Sequence, residues 1–435
     1  MDLLNKLRDE FDQAELLKKE TNELKISLEN WDLQDITSEN LSRSSLRVIK
    51  EGKKGANTTF GNSEKIQEKL LDGARESVQY GDKAIINFSD QKSTDTSTSL
   101  KEFKEIDSDE IFTFIKKFVE TVKEKKDDFP LDLQINKKLE EIELLTTNGA
   151  DLKEKLVNFS LSFGAPIPGG GSQIYRTLEQ PQFFTEVPEN LIDDFIREYE
   201  KTTEVSIPET GKMPVLFSPR ALYFLFICLE EGISGRNIYR ETSPLLDKKG
   251  EKIFSDKLNI VDKPAMERSS RKRTFDDEGI PTTRQDIVSD GILKKFIYDL
   301  EYAERLGEKA QGNGLKQALF GSGIDTPVTP SLINPVIIPG DKSKEELMAD
   351  IDEGILVDGI IGFHSSNYTQ GHFSVQAHGF HIKEGKLQGR LQDVMIAGNI
   401  YKDFKNIREI GSKLYPAFKG YTPYILVDDI NVTGK

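Results

Sequence analysis

The chain reads as an α+β protein of two domains. The first is an N-terminal curved antiparallel sheet with flanking helices; the second is a C-terminal, mostly antiparallel, barrel-like β domain around one buried helix. Three observations lead there. Through residues 1–208, stretches with helical spacing of apolar residues are interleaved with stretches that alternate like strands. Residues 209–435 are dominated by short strand patterns punctuated by Gly and Pro. At the start of that second half, Met213 to Gly235 (MPVLFSPRALYFLFICLEEGISG) holds a helix that is apolar on every face. At 435 residues the chain also exceeds what one core accommodates.

Taken in order, Leu3 to Lys19 puts Leu4, Leu7, Phe11, Ala14 and Leu17 on one face of a predicted helix. Strands follow at Leu24–Trp31, Ser44–Ile49 and Lys54–Thr59, the last two joined by a turn at Glu51-Gly52. Ser63 to Tyr80 reads as a helix capped by Ser63, with Ile66, Leu70 and Ala74 facing inward. Asp90 to Ser97 is a polar loop. Asp107 to Lys126 repeats Ile111, Phe114, Phe118 and Val122 at helical spacing. Strands are expected at Leu133–Ile135, Lys138–Leu145 and Lys153–Phe163, turning at Asn148-Gly149. The glycines of Ile167–Ser172 (IPGGGS) resemble a phosphate loop, but no Lys follows them and no helix opens there, so a strand-joining loop is the better reading. Asn190 to Lys201 is a helix, and the domain boundary is placed near Pro208–Gly211.

In the central stretch, Pro214 to Phe217 forms a strand, Ser218 offers an N-cap, and Pro219 suits a first helical position. The helix is expected over Arg220–Glu231, ended by a left-handed Gly232. Beyond it come a turn at Lys249-Gly250, a strand at Lys257–Val261, a turn at Gly279, and strands Gln285–Val288 and Leu293–Leu300 paired across Asp290-Gly291.

Charge narrows the function. A formal net charge of −15 repels phosphate backbones, so nucleic acid is not an expected partner. The basic run Arg268–Arg273 (RSSRKR) is followed at once by Asp276, Asp277 and Glu278 and reads as a solvated loop. The acidic runs Asp276–Glu278 and Glu345-Glu346 read as surface. The one cysteine, Cys228, sits mid-helix as an inert small hydrophobe and fits a reducing compartment. The N-terminus is not a signal sequence, and no apolar run approaches the ~20 residues that span a bilayer, so a cytoplasmic protein without membrane contact is expected.

Few constellations carry chemistry. All four histidines, His364, His372, His378 and His381, fall within GFHSSNYTQGHFSVQAHGFHI. His372 and His378 share a strand face, yet lie about 20 Å apart at ~3.3 Å per residue, so a metal site there requires a bulge or bend. Otherwise they sit on a polar or subunit-contacting face. Glu230-Glu231 ends the buried helix and is followed by Arg236, which suggests either a carboxylate–Arg contact or a polar cleft wall. No Ser/His/Asp arrangement can be argued.

Several ordered stretches resemble the TldD/PmbA (TldE) family of metalloprotease-related proteins. They include Leu46-Arg47-Val48-Ile49…Gly52…Gly55, Leu216-Phe217-Ser218-Pro219-Arg220-Ala221 and Gly232-Ile233-Ser234-Gly235. Further on come Asp276-Asp277-Glu278-Gly279, Asp290-Gly291-Ile292-Leu293, Gly371-His372-Phe373-Ser374, Ala397-Gly398-Asn399 and Val432-Thr433-Gly434. TldD-like members carry His-Glu-x-x-x-His on the helix before Gly-x-x-Gly, with a cysteine near the C-terminus. Aligned on Gly232 and Gly235, the two His positions fall on Phe226 and Glu231 and the Glu position on Ile227, and Gly411–Tyr424 has no cysteine. The chain thus looks like the PmbA/TldE branch, where this metal motif is degenerate.

The resemblance implies a non-catalytic subunit of a TldD/TldE-type complex acting on unfolded peptides, with no catalytic residue and no cofactor of its own. Zinc is expected only in a TldD-like partner. Glu230, Arg236, His372, Ser374 and Asn399 are candidate cleft or peptide-binding residues. The family commonly has Asp where His372 stands, and His378 and His381 are additions to its pattern. Two alternatives therefore stand beside it: a metallohydrolase using His364–His381, and a structural homodimer without activity.

Overall fold

In the computed structural model the described residues are 3–92, 106–168, 173–318 and 321–435. The N-terminal half is one six-stranded antiparallel sheet. Its elements are helix α1 (Leu3–Glu10), strands β1 (Gln13–Glu29), β2 (Asp32–Lys50) and β3 (Lys53–Phe60), helices α2 (Glu64–Tyr80) and α3 (Ser108–Lys125), strands β4 (Asp132–Thr146), β5 (Asp151–Pro166) and β6 (Gln173–Gln180), and helix α4 (Glu189–Lys201). The strand order is β3-β2-β1-β4-β5-β6. Leu7, Leu16, Leu46, Val48, Leu70 and Ala74 pack α1 and α2 against one part of this sheet. Phe114 and Phe118 of α3 and Phe195 of α4 pack with Phe129 and Phe163 at another.

The expected helix over Leu3–Lys19 stops at Glu10, and the chain becomes β1 at Gln13. The reason lies in β1's neighbours. Ala14 and Leu16 point into the core under α2, whereas Leu17 points to the opposite face, against Leu144, Leu152 and Phe275. With both faces covered, the alternation that marks a strand is blurred. The IPGGGS segment is followed by β6, not by a helix; residues 169–172 themselves lie outside the description, as do residues 93–97 of the polar loop.

The C-terminal half contains a closed ring of five strands: β7 (Gly211–Phe217), β8 (Glu353–Ile361), β9 (His372–Lys383), β10 (Met395–Asn399) and β11 (Ile425–Thr433). β7 pairs in parallel with β8 and antiparallel with β11; β8 pairs with β9, β9 with β10, and β10 with β11, which closes the circle. Alternate residues serve two cores. Leu216, Leu356, Phe380 and Leu426 join the α3–α4 cluster, while Val215, Phe217, Val357, Ile425 and Val427 join the cluster around the central helix. A second sheet carries Ile260–Asp262, Gln285–Ser289, Ile292–Leu293 and Pro335–Ile337. Two expected strands are therefore corrected: Lys257–Val261 begins only at Ile260, and Leu293–Leu300 is a two-residue strand that gives way to a helix at Leu300, capped by Asp299. Among the described residues no helix is long and apolar enough to cross a membrane.

Candidate functional site

The central helix, α5 (Tyr223–Ile233), starts later than expected, because Pro219–Leu222 form a turn in which the Ala221 and Leu222 N–H groups donate to the Ser218 carbonyl. Phe224, Leu225, Phe226, Cys228 and Leu229 are fully buried, and Phe224 packs on Phe217, Phe373 and Phe404. Gly232 does not end the helix in a left-handed turn; it lies inside α5, and Ser234 in extended conformation closes it. What Gly232 supplies is proximity. A Cβ there would meet Tyr401 Oη at 2.2 Å, and that hydroxyl donates to the Cys228 carbonyl at 3.0 Å. Gly235 does the same for Tyr298, whose Cδ1 would lie 2.4 Å from an added Cβ.

The polar end of α5 is saturated by protein groups. Glu231 accepts from Asn237 Nδ2 at 2.7 Å, and burial raises its pKa. Glu230 accepts from the Leu332 N–H at 2.8 Å and pairs with the Lys419 ammonium. Arg236 is not its partner: among the described residues no ion pair joins the two. Lys419 comes from the Gly411–Tyr424 segment, in which TldD-like chains are expected to place a metal-binding cysteine. Phe226 and Ile227 are buried hydrocarbon without a donor atom. Burial and the nearby Glu231 push the Cys228 thiol pKa up, away from the thiolate a metal needs. This donor set does not fit zinc, which needs about three nitrogen, sulfur or oxygen ligands converging on one point.

The remaining candidates lie elsewhere. His372 and Asn399 are opposite each other on β9 and β10, with Ser374 two residues along. Asn399 is occupied as a cap, accepting from the Tyr401 N–H and donating to the Gln370 carbonyl. The histidines diverge. His364 is on a short 3-10 turn, His372 is exposed, and His378 is half-buried. His381 is buried, with Nδ1 against Ser206 Oγ at 2.8 Å and Nε2 against Glu353 Oε1 at 2.7 Å. Among the described residues no cluster of three or more His, Cys, Asp or Glu is arranged to hold a metal.

Residues that the sequence made look superficial are among the most buried charges of the described residues. Asp276, Asp277 and Glu278 are no more than 2% exposed and Arg273 is 8% exposed, so the acidic run and the end of the basic run are not solvated surface, while Arg268 is exposed as expected. The chain turns here under the N-terminal sheet. Arg47 of β2 lies directly opposite Glu15 of β1 and grips it with two 2.7 Å hydrogen bonds, while its remaining Nη1 donates to Glu278 at 2.8 Å. Lys19 and Arg273 both pair with Asp277, and Arg273 also holds Glu154 of β5. Among the described residues Asp276 accepts from backbone N–H groups alone, those of Glu278, Ile280 and Gly314. Burial, then the Glu278 charge, pushes its pKa well above the usual carboxylate range. Burial opposes ionisation of Asp277 too, but Lys19 and Arg273 hold its pKa down. The network ties the sheet to the C-terminal half. The signal was faint: opposite charges adjoining in RSSRKR and DDE, with partners more than a hundred residues away.

This fold, two α+β halves with a closed β ring seated on a buried helix, occurs in solved proteins. A TldE crystal structure from Thermococcus kodakarensis superposes with a TM-score of 0.85 over 99% of both chains, at 23% identity. A Thermotoga maritima protein described as a putative modulator of a DNA gyrase gives 0.79 over 97% of this chain and 96% of its own, at 24% identity. Residues 210–434 match the PmbA/TldA metallopeptidase C-terminal domain. The chain belongs to the PmbA/TldD metallopeptidase family. Metalloprotease PmbA of Escherichia coli O157:H7 is 29% identical over 229 residues, 52% of this chain and 47% of its own. An uncharacterised Methanocaldococcus jannaschii protein is 28% identical over 296 residues, 66% of this chain and 67% of its own. The chain spans about half the length of the PmbA relatives it matches.

Proposed function

We propose that this chain is the non-catalytic member of a TldD/TldE-type peptidase pair, binding unfolded peptide beside a partner that carries the zinc. The observation that carries the reading is the end of α5. There Lys419 brings an ammonium to Glu230, Asn237 occupies Glu231, and Phe226 and Ile227 stand where the resemblance would put metal ligand and base. Paired with Lys419, the Glu230 carboxylate is already taken and is not free to ligate a metal. The likeness to TldE supports the same side of the pair. The separated histidines do not favour a hydrolase of its own.

The test is affinity purification of the tagged full chain from its native cell, with metal content and peptidase activity measured on the purified material. A co-purifying TldD-like chain with His-Glu-x-x-x-His at equal stoichiometry, carrying all the zinc and hydrolysing denatured casein, is the expected result. Stoichiometric zinc and activity in this chain by itself, or its recovery only as a homodimer, would sink the reading.

A further inference from the structure

Away from the Glu230–Glu231 end of α5, a cavity of about 290 Å³ opens between β6 and the β8–β9 pair. Its wall includes Tyr175, Arg220, Tyr223, His378, Phe380 and Arg390. The ladder is broken here. Register shifts between Val357 and Gly359, leaving Asp358 unpaired in the strand, and Gly379 opposite adopts a φ of +156°. A Cβ at Gly379 would lie 1.9 Å from the Leu356 carbonyl, so only glycine permits this bulge. The bulge turns the Asp358 carboxylate between Arg176 and Arg220, at 3.2 and 3.0 Å. Arg220 also lies flat over Tyr175, 3.4 Å from the ring centre, and donates to the Tyr175 carbonyl at 2.7 Å.

Charge in this region does not balance. Arg176, Arg220 and Lys344 face two carboxylates, Glu198 and Asp358. Arg390 adds a guanidinium that, among the described residues, has no carboxylate partner. Hydrogen bonding does not close either. Arg220 Nε and Arg390 Nε are both buried with no acceptor. Both Nε atoms are closed to solvent, so any donor these side chains present to the cavity is an Nη group. His378, half-buried beside them, has its charged form disfavoured by burial and by Arg220, so it does not add a fixed third cation.

We propose that this cavity binds a small monocarboxylate with an apolar body, about the size of one amino-acid residue. The two guanidinium groups supply the donors that a carboxylate accepts. Tyr223 and Ile360 supply the apolar wall, and they disfavour a fully hydrated dianion such as phosphate. The ligand is a free acid or the carboxyl-terminal residue of a peptide. The site is independent of the peptidase reading and stands whether or not this chain has a catalytic partner.

Isothermal titration calorimetry on the full chain tests it, with N-acetyl-leucine as probe and N-acetyl-leucinamide and inorganic phosphate as controls. The acid is expected to bind at least about tenfold more tightly than the amide, the loss expected for a charge-assisted pair. Arg390→Gln should remove a similar factor without lowering the melting temperature. Equal binding of acid and amide, tighter binding of phosphate, or no saturable heat with the acid overturns the proposal. The acid–amide ratio needs no variant, so it decides the matter even if Arg390→Gln unfolds the protein. Glycyl-glycyl-leucine then separates the sources: undiminished affinity identifies a peptide terminus, and its loss identifies a free small acid.

Discussion

Helix α5 buries Phe224, Leu225, Phe226, Cys228 and Leu229, and the turn at Asp276–Glu278 is equally dry, yet the first carries no charge along those positions and the second is all charge. The helix gains from apolar area removed from water, about 25 cal/mol per Å², and its packing is specified by shape. The acidic turn must instead overcome desolvation, which pairing with Arg47, Lys19 and Arg273 offsets. The difference teaches where specificity comes from. An apolar contact tolerates small slips; the Arg47 guanidinium bound to Glu15 and Glu278 does not, so this network fixes how the sheet and the C-terminal half register.

The contrast breaks most severely at Arg47. Arg47→Met leaves Glu15 and Glu278 buried without their cation and should destabilise by about 3–5 kcal/mol, read as a lower urea midpoint. An unchanged midpoint would mean the network is slack. On the helix side, Gly232→Ala drives a methyl into Tyr401 Oη and should cost about 1–3 kcal/mol. Adding Tyr401→Phe should recover part of that loss; no recovery would place the strain on Leu245, which a Cβ would approach at 3.0 Å.

A third effect is a pH slope at Asp299. Burial first, and Glu278 second, push its pKa up to about 7. In an unfolded chain it titrates near ~3.9, so between these values the folded protein holds more protons. Stability from this residue is therefore present below the unfolded pKa and lost as pH climbs to the folded one. Asp299→Asn keeps a cap for the Tyr302 N–H. It should match the parent near the acid end of this window and exceed it above neutrality. Parallel urea midpoints across the window would show the slope belongs to another group.

Much of the fold was legible because local pattern and burial agreed. Helices α2 and α3 each bury one face and expose the other. β1 was misread because its two faces enter different cores. At the candidate site, the apolar helix and its missing donors were readable, but not Lys419 beside Glu230, which depends on a segment 189 residues away. The buried acids were invisible for the same reason: Asp and Glu are normally solvated, and their cations come from distant strands. Nor did the sequence hint that Arg220 and Arg390 share a cavity wall.

The closed ring has a consequence for the order of assembly. β7 lies between β8 and β11, so residues near 215 pair with residues near 356 and near 426. A growing chain that has made β7 holds a strand with neither neighbour yet synthesised, and α5 behind it has no complete floor. Loop-closure entropy for these long-range pairings is met before their contacts reward it, which makes the ring slow to form. Until then, the most apolar helix in the protein depends on other surfaces for cover.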